Sequence, residues 1–279
     1  MTAQPVVPRQ NGAQGNNELM RLKLISCEIF YREMCAAVAR SPNTVDIEFL
    51  PKGLHDIGQP GMIQRLQEAI DRVDASKYEA VLLGYGLCNN GIRGLIARSV
   101  PIVVPRAHDC ITLFLGGRQR YDDYFHRNPG VYFLTSGWLE RGQETGELAQ
   151  ASIPHQLGLD LSFEELVAKY GQDNAQYLYD ELYNTLRNYT QYTYIAMGVE
   201  PQETFEAEAR RRAEDRGWKF EIIPGDMSLI QRLVDGPWDE QTFLVLQPGQ
   251  QVVARYDEGV IAAGEAEEKK SQHGGQEGQ

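Results

Sequence analysis

The sequence predicts an α/β fold built on a mainly parallel, Rossmann-like sheet, and three observations lead there. Between Glu79 and Trp138 three short apolar runs, A-V-L-L-G, P-I-V-V-P and V-Y-F-L-T, each give way to glycine, cysteine or polar residues. That is the pattern of buried parallel strands feeding functional loops. Strands alternate with helices at the spacing of βαβ units. Finally, Cys27, Cys88 and Cys110 all fall at or just beyond strand carboxyl ends, the edge where such sheets bind ligands.

Residues 1–19 are polar and rich in Gly, Gln and Asn, which predicts a disordered tail. Arg21 to Ser26 reads as the first strand. Ile29 to Arg40 follows as a helix, with Phe30, Met34, Ala37 and Val38 at helical spacing. Cys35 in that helix is expected to act as a small hydrophobe. V-D-I-E-F-L, within Thr44 to Leu50, alternates as a strand near the sheet edge. A loop with His55 and Asp56 leads to a helix over Gly61 to Val73. The apolar strand Ala80 to Gly84 should be central, followed by a short helix, Gly91 to Arg98, and a strand, Pro101 to Pro105. A helix from Ile111 to Phe125, broken at Gly116-Gly117, precedes the fifth strand, Val131 to Thr135.

Residues from about 140 to 218 read as a helical insertion. The part from Ser162 to about Gly198 is dense in tyrosine: Tyr170, Tyr177, Tyr179, Tyr183, Tyr189, Tyr192 and Tyr194. These rings are expected to pack an amphipathic helix or hairpin over the sheet. Glu203 to Arg216 reads as a solvated charged helix ended by Gly217. A strand at Lys219 to Ile223, a helix through Leu233 and a strand at Thr242 to Leu246 complete a single domain over residues 20–260. The P-G-Q that follows can turn into one more strand. These last strands either rejoin the sheet or form a small C-terminal lobe facing the site. Residues 261–279 are expected to form a second disordered tail.

The chain has 279 residues, 39 acidic against 27 basic, and a net charge of -12. That balance argues against non-specific binding to nucleic acid or an anionic membrane. No apolar run approaches the roughly 18 residues of a membrane span, and the N-terminus lacks a signal-peptide core. The cytoplasm is the expected compartment, where cysteines serve as thiols, metal ligands or redox groups. An acidic, tyrosine-rich surface is compatible with a homodimer.

The chemistry-bearing residues gather in G-Y-G-L-C-N-N-G and P-R-A-H-D-C. Three thiolates, from Cys27, Cys88 and Cys110, suit zinc or an iron–sulfur cluster and leave a position open for substrate. A metal-free catalytic thiol and three unrelated cysteines are the alternatives. His108 suits a fourth ligand or a general acid/base. Asp109 either orients an imidazole or caps the helix at Ile111. Arg93 and Arg106 are placed to bind an anionic group or to pair with carboxylates. Asn89 and Asn90 can donate to sulfur or substrate, Ser136 of T-S-G-W supplies a hydroxyl, and Trp138 and Tyr85 supply aromatic walls. The glycines have the wrong spacing for a dinucleotide or P-loop motif.

G-Y-G-L-C-N-N-G-I-R-G-L, P-R-A-H-D-C-I-T-L-F-L-G, Y-F-L-T-S-G-W-L-E and I-I-P-G-D-M-S-L-I-Q-R-L-V-D-G-P-W together resemble the prokaryotic domain of unknown function 1638 family, over about residues 20–255. The resemblance places Cys27, Cys88, His108 and Cys110 inside family motifs. It further implies an association with corrinoid-dependent methyltransferase systems. Two functions are therefore expected. One is a metal- or iron–sulfur-dependent enzyme, or accessory redox protein, acting on a small anionic molecule. The other is a non-catalytic cofactor- or metal-binding accessory of a methyltransferase system.

Overall fold

The computed structural model describes residues 19–141, 147–151, 163–178 and 188–266. The chain opens with β1 (Arg21–Cys27), a 3-10 turn (Glu28–Phe30) and α1 (Tyr31–Arg40). β2 (Thr44–Leu50), a second 3-10 turn (Lys52–His55) and α2 (Gly58–Asp71) follow, then β3 (Ala80–Gly84) and β4 (Ile102–Pro105). β1 pairs in parallel with both β2 and β3, and β3 with β4. β3 is buried at every position, as a central strand with both faces covered should be. β2 stands at the edge, partly exposed along its length.

The segment after β3 departs from the expected helix. Gly91–Gly94 forms turns, because Gly94 adopts φ 92°, a left-handed value that interrupts helical propagation. Ile96 instead makes an antiparallel bridge to Gln251.

After β4 the chain makes α3 (Cys110–Phe114) and α4 (Arg118–Arg127), separated at Gly116-Gly117 as the sequence predicts. It then leaves the main sheet. β5 (Val131–Leu134) is not the fifth strand of that sheet. After α5 (Ser136–Arg141), α6 (Glu147–Ala151) and α7 (Phe163–Tyr170), β5 is joined by β6 (Gln191–Ala196). α8 (Gln202–Arg216) then connects β6 to β7 (Lys219–Pro224), and β5-β6-β7 form a separate parallel sheet. The insertion is thus α/β, not helical. Tyr192 and Tyr194, expected on a helix, lie in the central strand of this second sheet, where they pack with Leu134, Ala209 and Ala213. Tyr179 and Tyr183 lie outside the described residues. Gly217 ends α8 at φ 65°, the expected left-handed cap.

α9 (Ser228–Asp235) brings the chain back to the first sheet, burying Leu229, Ile230, Leu233 and Val234. Full burial of four such side chains is worth roughly 1.5–3 kcal/mol each as an upper bound. Hydrogen bonds from Gln231 Nε2 to the Ala37 carbonyl and from Asn43 Nδ2 to that of Val234, 3.1 and 2.9 Å, fix its register. β8 (Phe243–Leu246) then pairs antiparallel with β4, completing the order β2-β1-β3-β4-β8. β9 (Gln250–Ala254) and β10 (Ile261–Glu265) form an antiparallel hairpin. β10 falls where a disordered tail was expected: Ile261 is buried, so the ordered chain extends past residue 260.

Glu33 of α1 is buried with neither carboxylate oxygen hydrogen-bonded among the described residues. It lies within electrostatic reach of Glu200, which follows β6. Glu200 is also buried, but accepts from the Tyr194 hydroxyl at 3.0 Å and from the Met197 and Val199 amides at 2.9 Å. No described helix is long and apolar enough to cross a membrane.

Candidate functional site

The site is built where β1, β3 and β4 end. Cys27 is the last residue of β1 and is buried, while Cys88 and Cys110, in the loops after β3 and β4, are partly buried. Two backbone bonds clamp these loops together, from the Leu87 amide to the Ala107 carbonyl at 2.8 Å and from the Cys88 amide to that of His108 at 2.9 Å. Gly86 makes the approach possible, since a Cβ there would lie 2.9 Å from the Asp109 backbone. Cys88, Asn89 and Asn90 then form a left-handed turn, φ 47°, 56° and 65°, closed by the Gly91 amide on the Cys88 carbonyl at 3.0 Å. Such conformations in residues with a Cβ cost on the order of 1–3 kcal/mol each and collect at functional sites.

The three cysteines are near enough to influence one another. Burial pushes the Cys88 thiol up, and the neighbouring Cys27 adds to it. Cys110 is raised well above the ordinary thiol value by burial, with Cys88, Asp109 and Cys27 contributing. Both thiols are therefore protonated at neutral pH in the bare protein, which disfavours the metal-free nucleophile. As donors the three are soft and suit zinc or iron. Among the described residues no three His, Cys, Asp or Glu side chains form a group placed to hold a metal ion.

Tyr85, fully buried at the end of β3, stands within electrostatic reach of Cys27, Cys88 and Glu28. His55 packs near it with ring centroids 6.2 Å apart, and burial lowers the pKa of this imidazole. The sequence placed His55 only in a loop. Its proximity to Tyr85 needs the Lys52–His55 turn to fold back over the strand ends, which no local motif signals.

His108 and Asn89 are exposed. With Leu87 and Asn90 they line a cleft of about 630 Å³ whose other sides are Arg118 and Asp122 of α4 and residues Ala254–Glu258 of the hairpin. Asp109 is the cap of α3, its carboxylate accepting from the Thr112 amide at 3.1 Å. Ser136 is buried in the first turn of α5.

The two arginines expected to clamp an anion are placed differently. Arg93 is exposed and lies outside the cleft lining. Arg106 ties the hairpin to β4: its guanidinium donates to the carbonyls of Glu240 and Gly259 at 2.8 and 2.9 Å, and to that of Ile261. The cations that do line the cleft are Arg118, paired with Asp122, and Arg255, paired with Asp257. Arg106→Gln should leave the main sheet intact but free the hairpin. Loss of charge-assisted bonds worth roughly 1.5–3 kcal/mol each should raise proteolytic cleavage around residues 255–260 by at least about tenfold. Unchanged cleavage would show that the β9–β10 pairing alone holds the hairpin.

Neither a curated protein nor a solved structure matches the chain. A family model described as "Protein of unknown function (DUF1638)" matches residues 49–234. The matched span is shorter than the 20–255 expected, so Cys88, His108 and Cys110 fall within it and Cys27 lies before it. With about two thirds of its length so matched, the chain belongs to the DUF1638 family.

Proposed function

We propose that Cys27, Cys88 and Cys110 hold a thiophilic metal centre, zinc or an iron–sulfur cluster, and that the protein uses it on a small anionic molecule as an enzyme or an accessory redox protein. The observation that carries this reading is the placing of three cysteines at the ends of three neighbouring parallel strands, with the loops after β3 and β4 clamped to one another by backbone bonds. Holding a metal would require the three thiols to come into ligating range, since no described group of three such side chains is so placed. A bound cation reverses the thiol preference for the protonated form, since coordination deprotonates a thiol outright.

When bound, the centre supplies Lewis-acid or electron-transfer chemistry. The residues of the chain do the rest. The cleft beside the Cys88 loop admits the substrate, and Arg118 and Arg255 meet its negative charge. His108, exposed on the wall of the cleft, exchanges a proton with it. Asp109 holds α3 in place through its cap and acts through position, not through proton transfer.

The test is metal and acid-labile sulfide content after anaerobic purification, with an absorption spectrum. Wild type should carry about one zinc or one cluster, lost in Cys88→Ser and kept in Cys35→Ser, whose thiol lies on α1 away from the strand ends. A folded, colourless, metal-free wild type, or metal retained in Cys88→Ser, overturns the assignment.

A further inference from the structure

The cleft beside the Cys88 loop carries acid as well as base. Its lining holds three carboxylates, of Asp122, Asp257 and Glu258, against the two guanidiniums of Arg118 and Arg255. Each guanidinium already has an acidic partner on the same wall. Arg118 Nε stands 3.8 Å from Asp122 and its Nη2 3.7 Å from Glu258, while Arg255 pairs with Asp257. Arg106, whose charge also reaches Asp257, does not line the cleft and is bonded to three carbonyls.

These pairs are partly exposed, and such pairs are weak enough to open to a competing ion. The difficulty lies in what the competitor leaves behind. An anion that takes Arg118 and Arg255 deprives Asp122, Asp257 and Glu258 of their partners. With His108 neutral, the ligand's own negative charge then joins three unpaired carboxylates in one cleft, and like charges set together oppose binding. A ligand with a cation of its own escapes this. Its anionic group replaces the acids on the guanidiniums, its cation replaces the guanidiniums on the acids, and every charge keeps a partner. Tyr256 lines the same cleft at 99% exposure, so its ring is bare to meet a cation. A volume of about 630 Å³ accommodates a molecule with two separated charged groups, well beyond an inorganic ion.

We propose that the cleft takes a zwitterion of amino-acid type, whose anionic group meets Arg118 and Arg255 and whose ammonium meets Asp122, Asp257, Glu258 and the Tyr256 ring. This deepens the reading above by naming the substrate class, and rests on that reading for the choice of cleft and for the role of the two arginines.

The experiment is titration of the ¹⁵N-labelled full chain with ω-amino carboxylates from glycine to 6-aminohexanoate, each beside the carboxylate and the amine of matched length. It is read on the backbone amides of Asn89, Arg118 and residues 255–258. At least one amino carboxylate should shift these amides saturably and bind about tenfold or more tighter than both of its singly charged counterparts. Asp122→Asn and Glu258→Gln should each reduce that preference by about threefold or more, by weakening the amino carboxylate and strengthening the plain carboxylate. Glu258 is suited to this test because its side chain is 95% exposed and the change leaves the fold alone. A carboxylate that binds as tightly as its amino counterpart, a preference unchanged in both variants, or a series that leaves the cleft amides still overturns the proposal. The same titration on Cys88→Ser protein separates the two readings. Selective binding by a protein that never holds metal sinks the metal centre alone, and a metal-loaded protein without the preference sinks the zwitterion alone.

Discussion

Gly137→Ala is expected to lower the melting temperature by about 6–12 °C, a loss of about 3 kcal/mol for a chain of this size. Gly137 lies in α5 where that helix meets the 3-10 turn after β1. A Cβ there would fall onto the Ile29 carbonyl oxygen and 2.6 Å from its carbon. The obstruction is backbone on backbone, so no rotamer change relieves it. α5 must move away, and with it go the Arg32–Glu140 pair, 3.0 Å from Nε to either carboxylate oxygen, and the Arg141–Glu28 pair at 3.8 Å. Thermal unfolding followed by circular dichroism measures it. A shift below about 2 °C would show that α5 docks loosely and that its contact with the turn contributes little.

Glu33→Gln should act in the opposite direction, and only at higher pH. Burial, with Glu200 nearby, raises the Glu33 carboxyl from its ordinary 4.5 to about 8. Below pH 4.5 the group is protonated folded or unfolded, and the substitution changes little. Above that the unfolded chain ionises while the folded protein keeps its proton, so wild-type stability falls until pH passes about 8 and then levels off. A shift of this size corresponds to about 3–5 kcal/mol. Glutamine escapes that loss. Melting curves of the two proteins should coincide near pH 4 and separate by several degrees near pH 8. A difference independent of pH would mean that Glu33 is ionised in the folded protein and finds a cationic or hydrogen-bonding partner there.

The first sheet was legible because β3 and β4 are short apolar runs with a break after each and β2 alternates along its length, both local signals. The second was not, for two reasons. Gln191–Ala196 is buried at Tyr192, Thr193, Tyr194 and Ile195 alike, so its side chains show no polar alternation to separate strand from helix. The membership of β5 in a different sheet is a property of its partner β6, which lies 57 residues further along and leaves no mark on V-Y-F-L itself. Gly91–Arg98 shows the converse error. Ile92, Leu95 and Ile96 have helical spacing, but the backbone from Gly94 to Ala97 bonds to β9 instead.

The site divides along the same line. The cysteines could be placed at strand ends from sequence because their loops follow readable strands. The use of Arg106 as a strut could not, since its three carbonyl partners come from residues 240–261 and offer no side-chain chemistry to recognise. The approach of His55 to Tyr85 was equally hidden, because it is visible only once the neighbouring turn is in place.

The pairing of β4 with β8 also orders events during synthesis. Between Pro105 and Phe243 the ribosome must make the entire second sheet before the edge of the first is covered. Throughout that interval β4 offers its outer backbone amides and carbonyls to whatever strand is near, the hazard of an unpaired edge. With β4 fully buried in the finished fold, the nascent chain is open to mispairing in a stretch the native protein conceals completely.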